Sequence, residues 1–162
     1  MPADAEPERE DPVGSSALPS AVVDAVRGQP IIGAAESAAL FITVRADGFP
    51  HVTLLSRAEL ATSGDRLLVA LAGTTTPGNL DRTGHATLLI VVDDTAHSCD
   101  VAVHTREASS GRVGYAMDLV SHRADSLGIP LTPITYTTPP ELPSVERWDA
   151  SSRLLEALAP RG

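Results

Sequence analysis

Three consecutive hydroxyls followed by proline and glycine, Thr74-Thr75-Thr76-Pro77-Gly78, open the segment GTTTPGNLDRTG at residues 73–84. Thr76 is a good N-cap, Pro77 suits the first helical position and Gly84 closes the segment, so the spacing predicts one helix of about two turns. Free backbone N–H groups at a helix start, joined by the hydroxyls of Thr74, Thr75 and Thr76, can surround a phosphate without a charged residue. The bland alternative is a capped connecting helix, which is the commoner use of the same residues.

Other reactive residue types are dispersed. His97 and Cys99 fall on one face of an expected strand and His104 on the other, so no metal site is predicted without a bulge. Cys99 is the single cysteine, with no adjacent base to activate it. Ser98, Asp100 and His104 supply the types of a hydrolytic triad, but no nucleophile elbow accompanies them. His51 flanks a turn. No catalytic acid or base is assigned.

The elements that must position these residues are mostly strands. Leu18 to Arg27 carries apolar residues at helical spacing, with Ser20 as expected N-cap. Runs at 38–44, 51–55, 66–71, 86–92, 99–105 and 112–120 are β-prone, and Asp47-Gly48, Ser63-Gly64-Asp65, Asp93-Asp94 and Ser110-Gly111 supply turns. Six strands in meander order, with one short helix among them, predict a mainly β, six-stranded antiparallel barrel with short flanking helices. The proline-rich stretch 130–143 reads as an extended loop. Residues 144–159 read as an amphipathic helix that docks Trp148, Leu154, Leu155 and Leu158.

The chain has 162 residues, which is about one domain. An acidic, proline-containing tail is expected at 1–14 and the barrel domain at 15–162. Twelve basic and twenty-one acidic residues give a net charge of −9, a poor footprint for nucleic acid. No apolar run reaches the roughly 18 residues of a membrane span, and no basic–apolar leader opens the sequence. A cytoplasmic location and no membrane partner are therefore expected. All twelve basic residues are arginine, which excludes lysine Schiff-base chemistry.

The order of FPHVTLLS, RLLVALAG, TTTPGNL and ATLLIVVDD, with Gly48 to His51, Asn79-Leu80 and Asp93-Asp94 as markers, resembles the flavin-binding split β-barrel family, the pyridoxamine 5′-phosphate oxidase-like proteins. The likeness covers roughly residues 38–105. It implies that Thr53, Leu54, Leu55 and Ser56 lie along the isoalloxazine ring of FMN. It likewise implies that Ala70, Leu71, Thr74, Thr75, Thr76 and Asn79 hold the ribityl phosphate. A homodimer with the cofactor at the subunit interface and a small-molecule substrate follow from the same resemblance, as does an FMN-dependent oxidoreductase activity. Positions 74–78 hold no arginine or lysine, and the nearest cations in sequence are Arg82, Arg57 and Arg66. The C-terminal SSRLLEALAPRG lacks the arginine-rich substrate signature of the pyridoxamine-phosphate oxidases proper, so that substrate is excluded. The alternatives are a barrel with weak or no flavin binding, serving as a ligand-binding or non-redox pathway protein, and a haem- or deazaflavin-binding relative.

Overall fold

The computed structural model describes residues 17–160, and the tail expected at 1–14 lies outside the described residues. The strands are β1 (Ala35–Ser37), β2 (Ala39–Val44), β3 (Pro50–Leu55), β4 (Leu60–Ser63), β5 (Arg66–Ala72), β6 (His85–Val92), β7 (Thr95–Ser109), β8 (Arg112–Asp125) and β9 (Thr135–Thr137). The helices are α1 (Ser20–Ala25), α2 (Thr75–Thr83), α3 (Leu142–Val145) and α4 (Trp148–Leu158).

Seven strands form one antiparallel sheet in the order β3-β2-β6-β7-β8-β5-β4, and β1 pairs with β9 in a separate ribbon. The main sheet therefore has seven strands where six were expected. The added strand is β4, whose four residues are too few for hydrophobic alternation to register; it exists because the turn at Gly64, φ +57°, folds it onto β5. The order is also not a meander. The chain passes from the edge strand β3 to the other edge, β4, and α2 then carries it from β5 back to β6. β9 forms within the proline-rich stretch because Thr135–Thr137 contains no proline and keeps its backbone donors.

Four residues explain why the sheet curls. In a flat sheet of seven strands the two edges would stand roughly 29 Å apart. Yet β3 and β4 are those edges, and only Ser56 to Glu59 separate them in the chain, a span that reaches about 18 Å from Leu55 to Leu60. The edges must approach each other, which makes the sheet a split barrel. Glu59 fixes the corner: its Oε2 accepts the Ser56 N–H at 2.6 Å and the Ser56 hydroxyl at 3.0 Å.

The barrel core covers one face of β5 and α4 the other, which is why RLLVALA is a continuous apolar run. Leu67, Val69 and Leu71 join Phe41, Leu88, Tyr115 and Met117 in the core, whereas Leu68 and Ala70 pack beneath Leu154 and Leu155 of α4. The helix lies so close to β8 that a Cβ on Gly114 would stand 2.7 Å from Leu158 Cδ1 and 2.8 Å from Leu154 Cγ.

Candidate functional site

The helix over residues 75–83 begins earlier than the sequence predicts. Thr74, not Thr76, is the N-cap, and Gly78 N–H donates to its carbonyl at 2.9 Å. Pro77 consequently sits at the third helical position, where its missing N–H still removes no intrahelical bond. Gly84 closes the helix in the left-handed conformation at φ +72°, as expected.

Side chains from four strands fasten α2 to the barrel. The Thr76 and Thr53 hydroxyls are hydrogen-bonded at 2.8 Å, which ties the first turn to β3. Asn79 donates from Nδ2 to Thr43 Oγ1 at 3.0 Å, and its Oδ1 accepts from Arg82 Nη1 at 3.3 Å. Arg82 also donates to the Val44 carbonyl. From the barrel interior, the Tyr115 hydroxyl donates to Asp81 Oδ1 at 3.0 Å, and Arg106 Nε reaches the same oxygen at 3.0 Å. Burial, followed by the bond to Asp81, pushes the Tyr115 phenol up to about 12. Tyr115 is therefore a protonated donor that anchors α2.

These anchors leave the N-terminal end of α2 open. Thr74 and Thr75 are exposed, and Thr74 makes no side-chain cap bond. The N–H groups of Thr75 and Thr76, in the first turn, have no intrahelical acceptor by the geometry of the helix. Gly73, at φ +79°, turns the chain from β5 into this start. Two exposed hydroxyls, and two amides with no intrahelical acceptor, thus lie where the resemblance puts a phosphate.

The expected site residues do not all share this face. Thr53 points toward α2, whereas Leu54 points away from the barrel and is 57% exposed. Leu55 is in the core, and Ser56 is spent on Glu59. Leu71 faces the interior and Ala70 the opposite side, under α4. Thr76 and Asn79 are buried, with Asn79 directed at Thr43 rather than at the helix start. Two supporting residues were missed in the sequence: Asp81, which carried no local signal, and Glu59, which a Ser-x-x-Glu spacing at Ser56 to Glu59 advertises.

Arginines near α2 are engaged elsewhere. Arg57 pairs with Glu36 at 2.7 Å, Arg66 with Asp118 at 2.8 Å and Arg106 with Asp81 at 3.0 Å. Arg82 is held by Val44 and Asn79. The first turn of α2 itself therefore offers only neutral donors.

The remaining reactive residues lie apart from this site. His97 Nδ1 and His122 Nε2 are 3.0 Å apart with nearly parallel rings, and Cys99 lies across from His122 in the ladder. Burial, reinforced by Asp100, pushes the Cys99 thiol up to about 11, which disfavours the thiolate. His97 is held below its ordinary value by burial and then by His122. His104 is on the outside, bonded to Asp118 at 3.1 Å. His51 lies opposite Thr43, the partner of Asn79. Among the described residues, no group of three or more His, Cys, Asp or Glu is placed to hold a metal ion.

The outer face of β3, β2 and β6 is apolar. Leu54 stands beside Leu40, which stands beside Leu89, and Val52 stands beside Ile42. Val52 and Val44 are about half exposed, and Phe49 at the β2–β3 turn is 66% exposed. A groove of about 310 Å³ continues this face toward β7 and β8, between Ile42, Val44, Val101 and Val120.

No family model matches the sequence, and no curated protein matches it. Solved structures do match. The styrene monooxygenase flavin reductase of Pseudomonas putida aligns with 65% of this chain and 88% of its own, at 9% identity and a TM-score of 0.51. Nitrilotriacetate monooxygenase component B from Mycobacterium thermoresistibile aligns over 65% and 77% respectively, at 10% identity and the same TM-score of 0.51. The chain shares with them the split β-barrel fold. No helix among the described residues is long and apolar enough to cross a membrane.

Proposed function

We propose that this protein is a flavin-dependent oxidoreductase that binds FMN beside β3 and α2 and acts on a small molecule. The observation that carries the reading is the open first turn of α2, fastened to β3 through Thr53 and Thr76 at 2.8 Å. Its exposed end offers the Thr74 and Thr75 hydroxyls and the Thr75 and Thr76 amides to the phosphate, a donor set that fits an anion at a helix start. Flavin, when bound, supplies hydride and electron transfer. This chain's own contribution is to orient and shield: Thr53 and Thr76 fix the spacing of helix and strand, and Leu54 and Val52 supply an apolar wall.

A second copy of the chain is the proposed cover for that wall. Soluble monomers rarely leave a large contiguous apolar patch open, and the face formed by Leu40, Ile42, Val52, Leu54 and Leu89 spans three adjacent strands. A planar cofactor needs apolar surface on both sides, which a partner supplies. The two structural relatives named flavin reductase and monooxygenase component support the redox reading.

The neutral character of the cradle favours exchangeable binding. Charge-assisted hydrogen bonds are roughly twice as strong as neutral ones, so a phosphate that meets only hydroxyls and amides adds little affinity. Titration with FMN and with riboflavin, followed by flavin fluorescence and size-exclusion chromatography, tests both points. Both flavins should bind, FMN by no more than about tenfold more tightly, and flavin should co-elute with protein of dimer mass. Reduction of the bound flavin by NADH or NADPH would support catalysis. Failure of both flavins to bind at saturating concentration would rule the reading out in favour of a non-redox ligand-binding barrel.

A further inference from the structure

β8 is held unevenly along its length. Arg112 to Asp118 pairs with β5 on one side and β7 on the other, whereas Ser121 to Asp125 pairs with β7 alone. On the core side of the sheet, His97 Nδ1 and His122 Nε2 tie this outer end of β8 to β7 at 3.0 Å. The two ring centroids are 5.3 Å apart and the planes only 11° from parallel. His97 is 8% exposed and shares its face of β7 with Cys99; His122 stands opposite Cys99 and is half-buried.

Few charges reach this pair. Ile90 of β6 and Ala124 of β8 lie opposite His97, and Leu88 lies opposite Cys99. The Cys99 thiol, pushed up to about 11, stays neutral. Strand alternation puts Asp100, Arg123 and Asp125 on the other face of the sheet, where Asp100 is bonded to Thr87 and Ser121, and Arg123 to Asp125. α1 packs Val22 and Val26 into the same core, and its Asp24 pairs with Arg27 in solvent. Asp93 and Asp94 are exposed in the turn before β7. Among the described residues, neither ring of the pair has a carboxylate within ion-pair distance, whereas His104 has Asp118.

The geometry limits how many protons the two rings can hold. At 3.0 Å one of them must offer an N–H and the other a bare nitrogen. A first added proton can go to an outer nitrogen and leave that bond intact. A second would turn two N–H groups, each on a cation, toward one another in a place without a counter-charge. The bond must then break, and His122, the more exposed ring, is the one free to leave.

We propose that the His97–His122 pair is a pH-sensitive latch, which ties the outer end of β8 to β7 while at most one ring is charged and releases it when both are. The latch belongs to this end of the barrel and stands whether or not flavin binds at α2.

Proton linkage fixes the direction of the effect. Burial, and then His122, hold His97 below its ordinary value, so as pH falls the open form takes up protons before the closed form does. The stabilisation is therefore complete above the ordinary histidine value of about 6.5 and is lost as pH falls from there through the depressed one.

Backbone hydrogen exchange of the full chain tests the proposal, expressed as protection factors so that the intrinsic pH dependence of exchange cancels. Between about pH 7.5 and about pH 5, protection at Ser121 to Asp125 should fall about tenfold relative to Val113 to Met117. His122→Gln should abolish that fall, because an amide in place of Nε2 can keep a bond to His97 and takes up no proton. If His122→Gln does not fold, His97→Asn, whose amide stands in for Nδ1, decides by the same reading. An equal relative fall in wild type and variant would overturn the proposal. So would a wild type whose protection changes uniformly along β8 or does not change at all.

Discussion

Gly114→Ala should destabilise the protein by roughly 1–3 kcal/mol, the usual penalty for forcing a methyl group into a filled space. The new Cβ would meet Leu158 Cδ1 at 2.7 Å and Leu154 Cγ at 2.8 Å. The Leu158 methyl is the end of a flexible side chain and can turn aside. The Leu154 branch point cannot, because Leu154 is packed among Leu68, Ala70, Ala116 and Leu155. Relief must come from α4 moving off the sheet. Trp148 reports that motion directly, since it is the only tryptophan in the sequence and is buried at the first position of α4. The variant should show a lower unfolding midpoint and red-shifted tryptophan emission. Gly78→Ala is the matched control: it is helical with open space around it, and a gain of roughly 0.5–1 kcal/mol in helix propensity is expected. Equal behaviour of the two variants would mean that α4 does not pack against β8 as described.

Asn79→Ala should lower the stability of unfolding by roughly 1–3 kcal/mol, because it strands a buried partner. Thr43 is 1% exposed and loses the donor that Asn79 Nδ2 provides at 3.0 Å. Arg82 loses one of its two acceptors. The sequence motif suggested that Asn79 touches phosphate, but the geometry assigns the amide to Thr43. Denaturant unfolding should therefore show the loss in full, with flavin affinity changed only through looser placement of α2. Thr74→Ala combined with Thr75→Ala should give the converse result, weaker FMN binding with little change in stability, since both residues are exposed. A larger affinity loss from Asn79→Ala than from the threonine pair would reverse these roles.

Local periodicity carried much of the fold. The runs that became β2, β3, β5, β6, β7 and β8 alternate or stay apolar over six or more residues, long enough for the pattern to register. β4 did not, because four residues with a single fully buried side chain are indistinguishable from a loop until β5 is beside them. The strand order depends on pairing between distant segments and on α2 crossing from β5 to β6, which no window of sequence contains. The candidate site divides in the same way. A helix after Gly73 was legible from Thr76-Pro77 and Gly84, but three adjacent threonines are equally able to cap, so the start was placed two residues late. The inward turn of Thr76 and Asn79 was not legible at all. It requires Thr53 and Thr43, two strands of a sheet, to lie under one face of the helix. The extra residues in the β7–β8 ladder, Val120 in β8 and His104 in β7, likewise arise from the pairing of these two strands.

The central claim is that the first turn of α2 receives the flavin phosphate, and backbone amide resonances measure it most directly. In a ¹⁵N-labelled sample, FMN should shift the amide signals of Thr74, Thr75 and Thr76, whereas riboflavin should shift those of Thr53 and Leu54 and leave the helix start nearly unmoved. Identical shifts from both flavins at Thr74 to Thr76, or none from FMN, would contradict the account.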